Sequence, residues 1–197
     1  SLGIPLPPIA PERGSGEGQG PFDRLVIDQV MLVDGLGSPP RGPVSIIIEQ
    51  DTIVAITSRA PAPVENETRL DGRGKTALPG FVDAHVHIGN PLQGLAGPVT
   101  PPEYVFKLWL AHGITTVRDV GSVMGLGWTV KHATLSEAGA IVAPRIIPYA
   151  MFPGASGTGI GGVITKDEPA RNWVRAVKKK GAMGVKVRGG TREALAA

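Results

Sequence analysis

The chain has 197 residues, 42% hydrophobic and 19% charged, enough to bury a sizeable core as one large domain or as a small domain with part of a larger one. Its net charge is +3, and the basic excess is scattered apart from Lys178-Lys179-Lys180 at the end of a predicted helix, which argues against a nucleic-acid partner. The absence of cysteine excludes disulfides, thiolate metal sites and a Cys nucleophile, and no apolar run approaches the roughly 20 residues of a membrane span.

Residues 1–21, SLGIPLPPIAPERGSGEGQGP, are rich in proline and glycine and are predicted to be a flexible, extended segment. No signal-peptide apolar core is present, and the segment reads equally as a linker or as the start of a mature secreted chain. Short alternating runs follow. DRLVIDQVMLVDG (23–35) reads as a strand ending at an Asp-Gly turn, and VSIIIEQ (44–50) with TIVAIT (52–57) as a hairpin turning near Gln50-Asp51. A small β-sandwich over residues 22–79 is the expectation, with a structural role.

From residue 80 strands alternate with helices. FVDAHVHI (81–88), ITTVRDV (114–120), PRIIPYA (144–150) and GVKV (184–187) read as strands. Helices are predicted over 101–113, 127–139 and 167–180, and a further one begins at TREALAA. In the third, Ala170, Trp173, Val174 and Val177 share one face opposite Arg171, Arg175 and Lys178. Such alternation implies a parallel sheet, here the first four βα units of a (β/α)₈ TIM barrel over residues 80–197. The fold class is therefore α/β, a half barrel with a small N-terminal β-sandwich domain.

Two features carry the chemistry. In PGFVDAHVHIG, Asp83, His85 and His87 share one parity, so a strand would project all three from one side. Two imidazoles at that spacing can converge on a divalent ion of the zinc type, whereas the plainer alternative is a core strand with two satisfied histidines. Asp83, two residues deeper, is better placed to orient a ligand than to be one. Lys186 lies inside the short apolar strand GVKV, where an unpaired ammonium is costly. It either snorkels or pairs with an acid, or it reacts as a neutral amine with carbon dioxide to give a carbamate, an anionic oxygen ligand able to bridge two ions.

PGFVDAHVHIG followed by GITTVRDVG resembles the amidohydrolase superfamily, in particular its imidazolonepropionase-like and prolidase-like branch. The segment around DG, PPRGPVSIII and IVAI is similar to that family's sandwich, so the resemblance covers residues 23–197. It implies that His85 and His87 are metal ligands on the first barrel strand and that Lys186, in KVRGG, is the carboxylated lysine bridging one or two divalent ions, most simply Zn²⁺. It further implies two histidines and a proton-shuttling aspartate from later strands, for which His112 and His132, read as structural or solvent-facing, do not substitute.

The implied activity is hydrolysis of an amide C–N bond in a dipeptide-like, N-acyl or cyclic amide substrate by metal-activated water. A second polypeptide completing the barrel, or a homo-oligomer, is the expected partner. The alternatives are a deaminase or an ester or lactone hydrolase on the same scaffold, or a non-catalytic half-barrel binding protein. Arg118 and Asp119 end the second barrel strand, where Asp119 either positions a ligand or pairs with Arg118. Gly157, Gly159 and Gly162 formally satisfy G-x-G-x-x-G but do not open a helix directly after a strand, so the 151–166 stretch reads as a loop over the active-site face rather than a nucleotide site.

Overall fold

A computed structural model describes residues 8–89, 100–122, 124–154 and 163–196; the G-x-G-x-x-G stretch lies outside the described residues. The chain divides into two compact units, Ser15–Gly80 and a second formed by Ser1–Gly14 with Phe81–Ala197.

The first unit is one mixed five-stranded sheet built from β1 (Arg24–Leu32), β2 (Arg41–Glu49), β3 (Thr52–Thr57), β4 (Glu67–Asp71) and β5 (Thr76–Ala77). Its order is β3-β2-β1-β4, with β5 also on β1; β2 and β3 form the expected antiparallel hairpin, and β4 and β5 join β1 in parallel. Gln50 takes the hairpin turn at a φ of 55°. Val30, Leu32, Val44 and Ile46 form its core, and Ser45, also buried, donates its hydroxyl to Asp28. A second sheet, which a sandwich requires, is not among the described residues of this unit.

The second unit is mixed α/β with a curled, wholly parallel sheet in the order β6-β7-β8-β9. Its elements run β6 (Phe81–Val86), α1 (Pro102–Ala111), β7 (Ile114–Asp119), α2 (Leu126–Glu137), β8 (Arg145–Met151), α3 (Asp167–Lys179), β9 (Gly184–Lys186) and α4 (Arg192–Leu195). Chemistry at the helix ends explains the boundaries. Pro102 opens α1, and α3 has Asp167 and Glu168 in its first turn with Lys178 and Lys179 in its last, complementing the helix dipole at both ends. Val86, Ile88, Phe106, Val117, Trp128, Ile141 and Ile146 fill the space between sheet and helices. Gly184 is required by close approach, since a Cβ there would come 2.3 Å from the Tyr149 ring lying over it. No described helix is long and apolar enough to cross a membrane.

Within residues 1–21, expected to be a flexible, extended segment, Ile9 and Ala10 pack into the core of the second unit. Ala10 is buried in the barrel unit's core with Ile9 packed beside it, and Arg13 N donates to Ala140 O at 2.8 Å. The apolar pair Ile9-Ala10 gives this stretch a hydrophobic anchor that its proline and glycine content hides. The anchor is completed by His132, fully buried against Trp128 and Phe106: its Nε2 accepts from Ala10 N at 3.1 Å and its Nδ1 faces Trp128 O at 2.9 Å. A carbonyl only accepts, so Nδ1 carries the proton and the ring is neutral.

Burial holds the His132 pKa below its ordinary 6.5, and Lys131 pushes the same way against the Trp128 bond. A His pKa depressed on folding stabilises the fold above the unfolded value, and this stability is lost as pH falls through the folded one. Urea titrations at stepped pH should show stability falling below about pH 6.5, with the slope reduced in His132→Gln. An unchanged slope would remove His132 from this role.

Candidate metal centre

Parallel strands paired in sequence order present all their C-terminal ends at one edge of the sheet, and the residues with metal-binding chemistry gather there. His85 is the penultimate residue of β6, His87 follows its end, and Lys186 closes β9. The Lys186 Nζ lies 3.4 Å from His85 Nε2, across 101 residues of sequence, and the two imidazoles stand edge-on with centroids 5.4 Å apart.

The simple alternation that would align Asp83, His85 and His87 is interrupted. β6 shifts register against β7 between Asp83 and Val86, and Asp83 Oδ1 accepts from the backbone N of His85 at 3.1 Å. Asp83 thus fixes the backbone of the residue two on. Lys186 also differs from expectation: it is half-exposed, because β9 pairs only with β8 among the described residues and its inner side is open. The burial penalty expected for its ammonium is correspondingly reduced.

His87 Nδ1 lies 3.0 Å from Gly121 O, which makes Nδ1 the protonated nitrogen and leaves Nε2 with the free lone pair. The His85 pKa is held below its ordinary range, chiefly by the Lys186 ammonium, then by burial and by His87 and Arg118, while Asp83 opposes them. Both effects suit a divalent ion, which binds neutral imidazole. Among the described residues no three His, Cys, Asp or Glu side chains converge. The donor set is two imidazoles and one amine, and the amine becomes an oxygen donor only as a carbamate. Within that limit the residues fit a divalent ion.

Arg118 and Asp119 do not pair with each other. As neighbours in a strand they project to opposite faces. Arg118 Nε donates to Ala84 O at 2.7 Å, and its guanidinium lies 5.2 Å from the Tyr149 ring centre, within cation–π range. Asp119 is completely buried and accepts from Thr129 Oγ1 at 3.1 Å and from Gly121 N at 3.1 Å. His112 is exposed at the end of α1, its Nδ1 on Leu108 O at 2.8 Å, away from the cluster. Sequence reasoning missed the roles of Gly121 and Thr129: a backbone carbonyl leaves no trace in residue type, and a helical threonine ten residues from its partner follows no motif.

Burial raises the Asp119 pKa from its ordinary 3.8 to about 6, against the bonds from Thr129 and Gly121. A pKa raised on folding gives stability that is full below the unfolded value and lost as pH rises through the folded one. In chelator-treated protein, Asp119→Asn should therefore remove a loss on the order of 2 kcal/mol between pH 4 and 7. Denaturation midpoints that fall equally in both proteins over this window would contradict it.

No protein-family model matches the chain. An adenine deaminase of Bacillus licheniformis is 32% identical over 113 residues, which are 52% of this chain and 18% of that protein. Among solved structures, a prolidase complexed with N-methylphosphonate-L-proline is similar with a TM-score of 0.63 and 26% identity over 83% of this chain and 46% of its own. A Xaa-Pro dipeptidase with methionine in its active site is similar in fold, with a TM-score of 0.66 and 22% identity over 83% of this chain and 46% of its own. The chain thus spans less than half the length of the proteins it matches, and these neighbours are amidohydrolase-superfamily proteins, as the adenine deaminases also are.

Proposed function

We propose, from the premise that this chain carries an amidohydrolase-superfamily fold, that it is the N-terminal part of a metal-dependent hydrolase cleaving an amide C–N bond. The observation that carries this reading is the meeting of His85, His87 and Lys186 at the C-terminal edge of the parallel sheet, with Lys186 Nζ 3.4 Å from His85 Nε2. The edge strands support a full (β/α)₈ barrel built from more sequence than this. Phe81 and Val82 on β6, with Met183 and Val187 beside β9, are exposed apolar side chains of the kind that further strands and helices would cover. A β-sandwich completed around the N-terminal sheet belongs to the same reading.

In this proposal His85 and His87 would hold a divalent ion, most simply Zn²⁺, and Lys186 as a carbamate would supply an oxygen donor for one or two such ions. When bound, such an ion supplies Lewis-acid polarisation of the scissile carbonyl and acidifies a water. The protein's own residues prepare for this. Asp83 fixes the His85 backbone, and the Gly121 carbonyl orients His87. The Lys186 nitrogen, once it has given up its ammonium proton, would add carbon dioxide, forming the N–C bond of a carbamate as a C=O π bond opens and releasing a further proton. The group that protonates the leaving nitrogen would come from later strands. The names of the similar proteins support C–N bond chemistry, prolidase and Xaa-Pro dipeptidase for an amide and adenine deaminase for an exocyclic amine. An amide in a dipeptide-like, N-acyl or cyclic substrate is the first reading, and deamination the second, favoured by the 32% identity to the deaminase.

In the full-length protein, His85→Ala with His87→Ala should abolish bound divalent metal by elemental analysis and lower hydrolysis on the order of 100-fold or more. Unchanged metal content in that double variant would reject these ligands. Native mass spectrometry should find one added carbon dioxide on the wild type and none on Lys186→Ala; an adduct surviving in the variant would reject the carbamate. Assays with proline dipeptides and with adenine then separate the two readings, because only deamination releases ammonia from adenine.

A further inference from the structure

Thr129 is a β-branched residue on the buried face of α2, exposed by only 1%. Helical threonines commonly turn the hydroxyl back to the carbonyl four residues earlier, as Thr134 does here to Val130 O at 3.1 Å. Thr129 does otherwise. Its hydroxyl crosses to β7 and donates to Asp119 Oδ2 at 3.1 Å, while the other carboxylate oxygen accepts from Gly121 N at 3.1 Å. Gly121 has a φ of 117°, and a Cβ there would come 2.9 Å from Met151 Cβ, so its peptide has a backbone conformation that side-chain-bearing residues rarely adopt. Its carbonyl is the partner of His87 Nδ1 at 3.0 Å. Val120 N to Val86 O at 3.0 Å and Ser122 Oγ to Ile88 O at 2.8 Å flank this bond and tie the two strand ends together.

We propose that Thr129 is a positioning residue for His87: through the Asp119 carboxylate and the Gly121 backbone, held at N and presenting its carbonyl, it keeps His87 in the Nδ1–H form, with Nε2 left open for a metal ion. The metal part rests on the hydrolase reading above; the tautomer part does not. A valine would fill the same volume at Thr129, so the hydroxyl is dispensable for packing. Removing it takes one donor from the Asp119 carboxylate and loosens its hold on Gly121 N, so the Gly121 backbone whose carbonyl meets His87 loses a restraint.

The test uses the full-length protein with ¹⁵N-labelled histidine, the His87 signals being assigned by their loss in His87→Ala. Imidazole nitrogen shifts in metal-free protein should report the Nδ1–H form in wild type and in Thr129→Ser, which keeps the hydroxyl. Thr129→Val should give a mixture of tautomers, and its affinity for Co²⁺ alone should fall about tenfold, with Thr129→Ser restoring it. Asp119→Asn, which replaces one acceptor by a donor, should give the same tautomer signature if Thr129→Val fails to fold. If the valine variant keeps both the His87 tautomer and the cobalt affinity, Thr129 is a packing residue and the proposal falls. If wild type takes up no cobalt while the tautomer still depends on Thr129, the positioning stands and the hydrolase reading fails.

Discussion

The in-order parallel pairing of β6, β7, β8 and β9 is the constraint on which everything at the candidate site depends. Each strand must return to the same starting edge, so each is followed by a helix and each ends at the same rim. His85 and Lys186 lie 101 residues apart and still meet within 3.4 Å because three crossovers bring their strands back in register. A change in any one pairing would move one partner along the sheet by the rise of a residue, about 3.3 Å, which is as large as the contact itself.

The barrel unit buries two titratable side chains in opposite ways. His132 is neutral, donates a hydrogen bond from Nδ1 to Trp128 O and accepts one at Nε2 from Ala10 N, so both ring nitrogens are satisfied and burial costs little. Asp119 accepts from Thr129 and from the backbone of Gly121 and Ile88, yet burial still lifts its pKa to about 6, because neutral donors only partly replace the water a carboxylate loses. The first anchors an N-terminal stretch to the helices. The second ties a helix to the turn beneath the candidate ligands.

Around His85 the described charges are mostly positive: Lys186 and Arg118 repel a proton from the ring, and Asp83 alone attracts one. These charges favour the neutral imidazole. In the proposed carbamate form the nearest of these charges would change sign, from an ammonium to an anion, so the same residue that disfavours a proton on His85 would then favour a cation beside it. A single lysine could in this way both prepare a ligand and complete its coordination.

From the sequence alone, period and punctuation determined the local structure. Strands expected at 23–35, 44–50, 52–57, 81–88, 114–120, 144–150 and 184–187 and helices at 101–113, 127–139 and 167–180 follow from apolar spacing with Pro and Gly stops, which act within a few residues. An element of the same type forms at each place, with ends shifted by up to three residues. The residues with metal-binding chemistry, His85, His87 and Lys186, were legible from their types and positions. Tertiary structure alone decided what those signals could not carry. It broke the alternation at Asp83 through a register shift, drew Ile9-Ala10 into a core, left Lys186 half-open at a sheet edge, and joined Thr129, Asp119 and Gly121 behind His87. The physical reason is range: hydrophobic period and turn chemistry are local, whereas a bulge, a buried carboxylate's donors and a carbonyl's partner are fixed only when distant segments compete for the same space and the same hydrogen bonds.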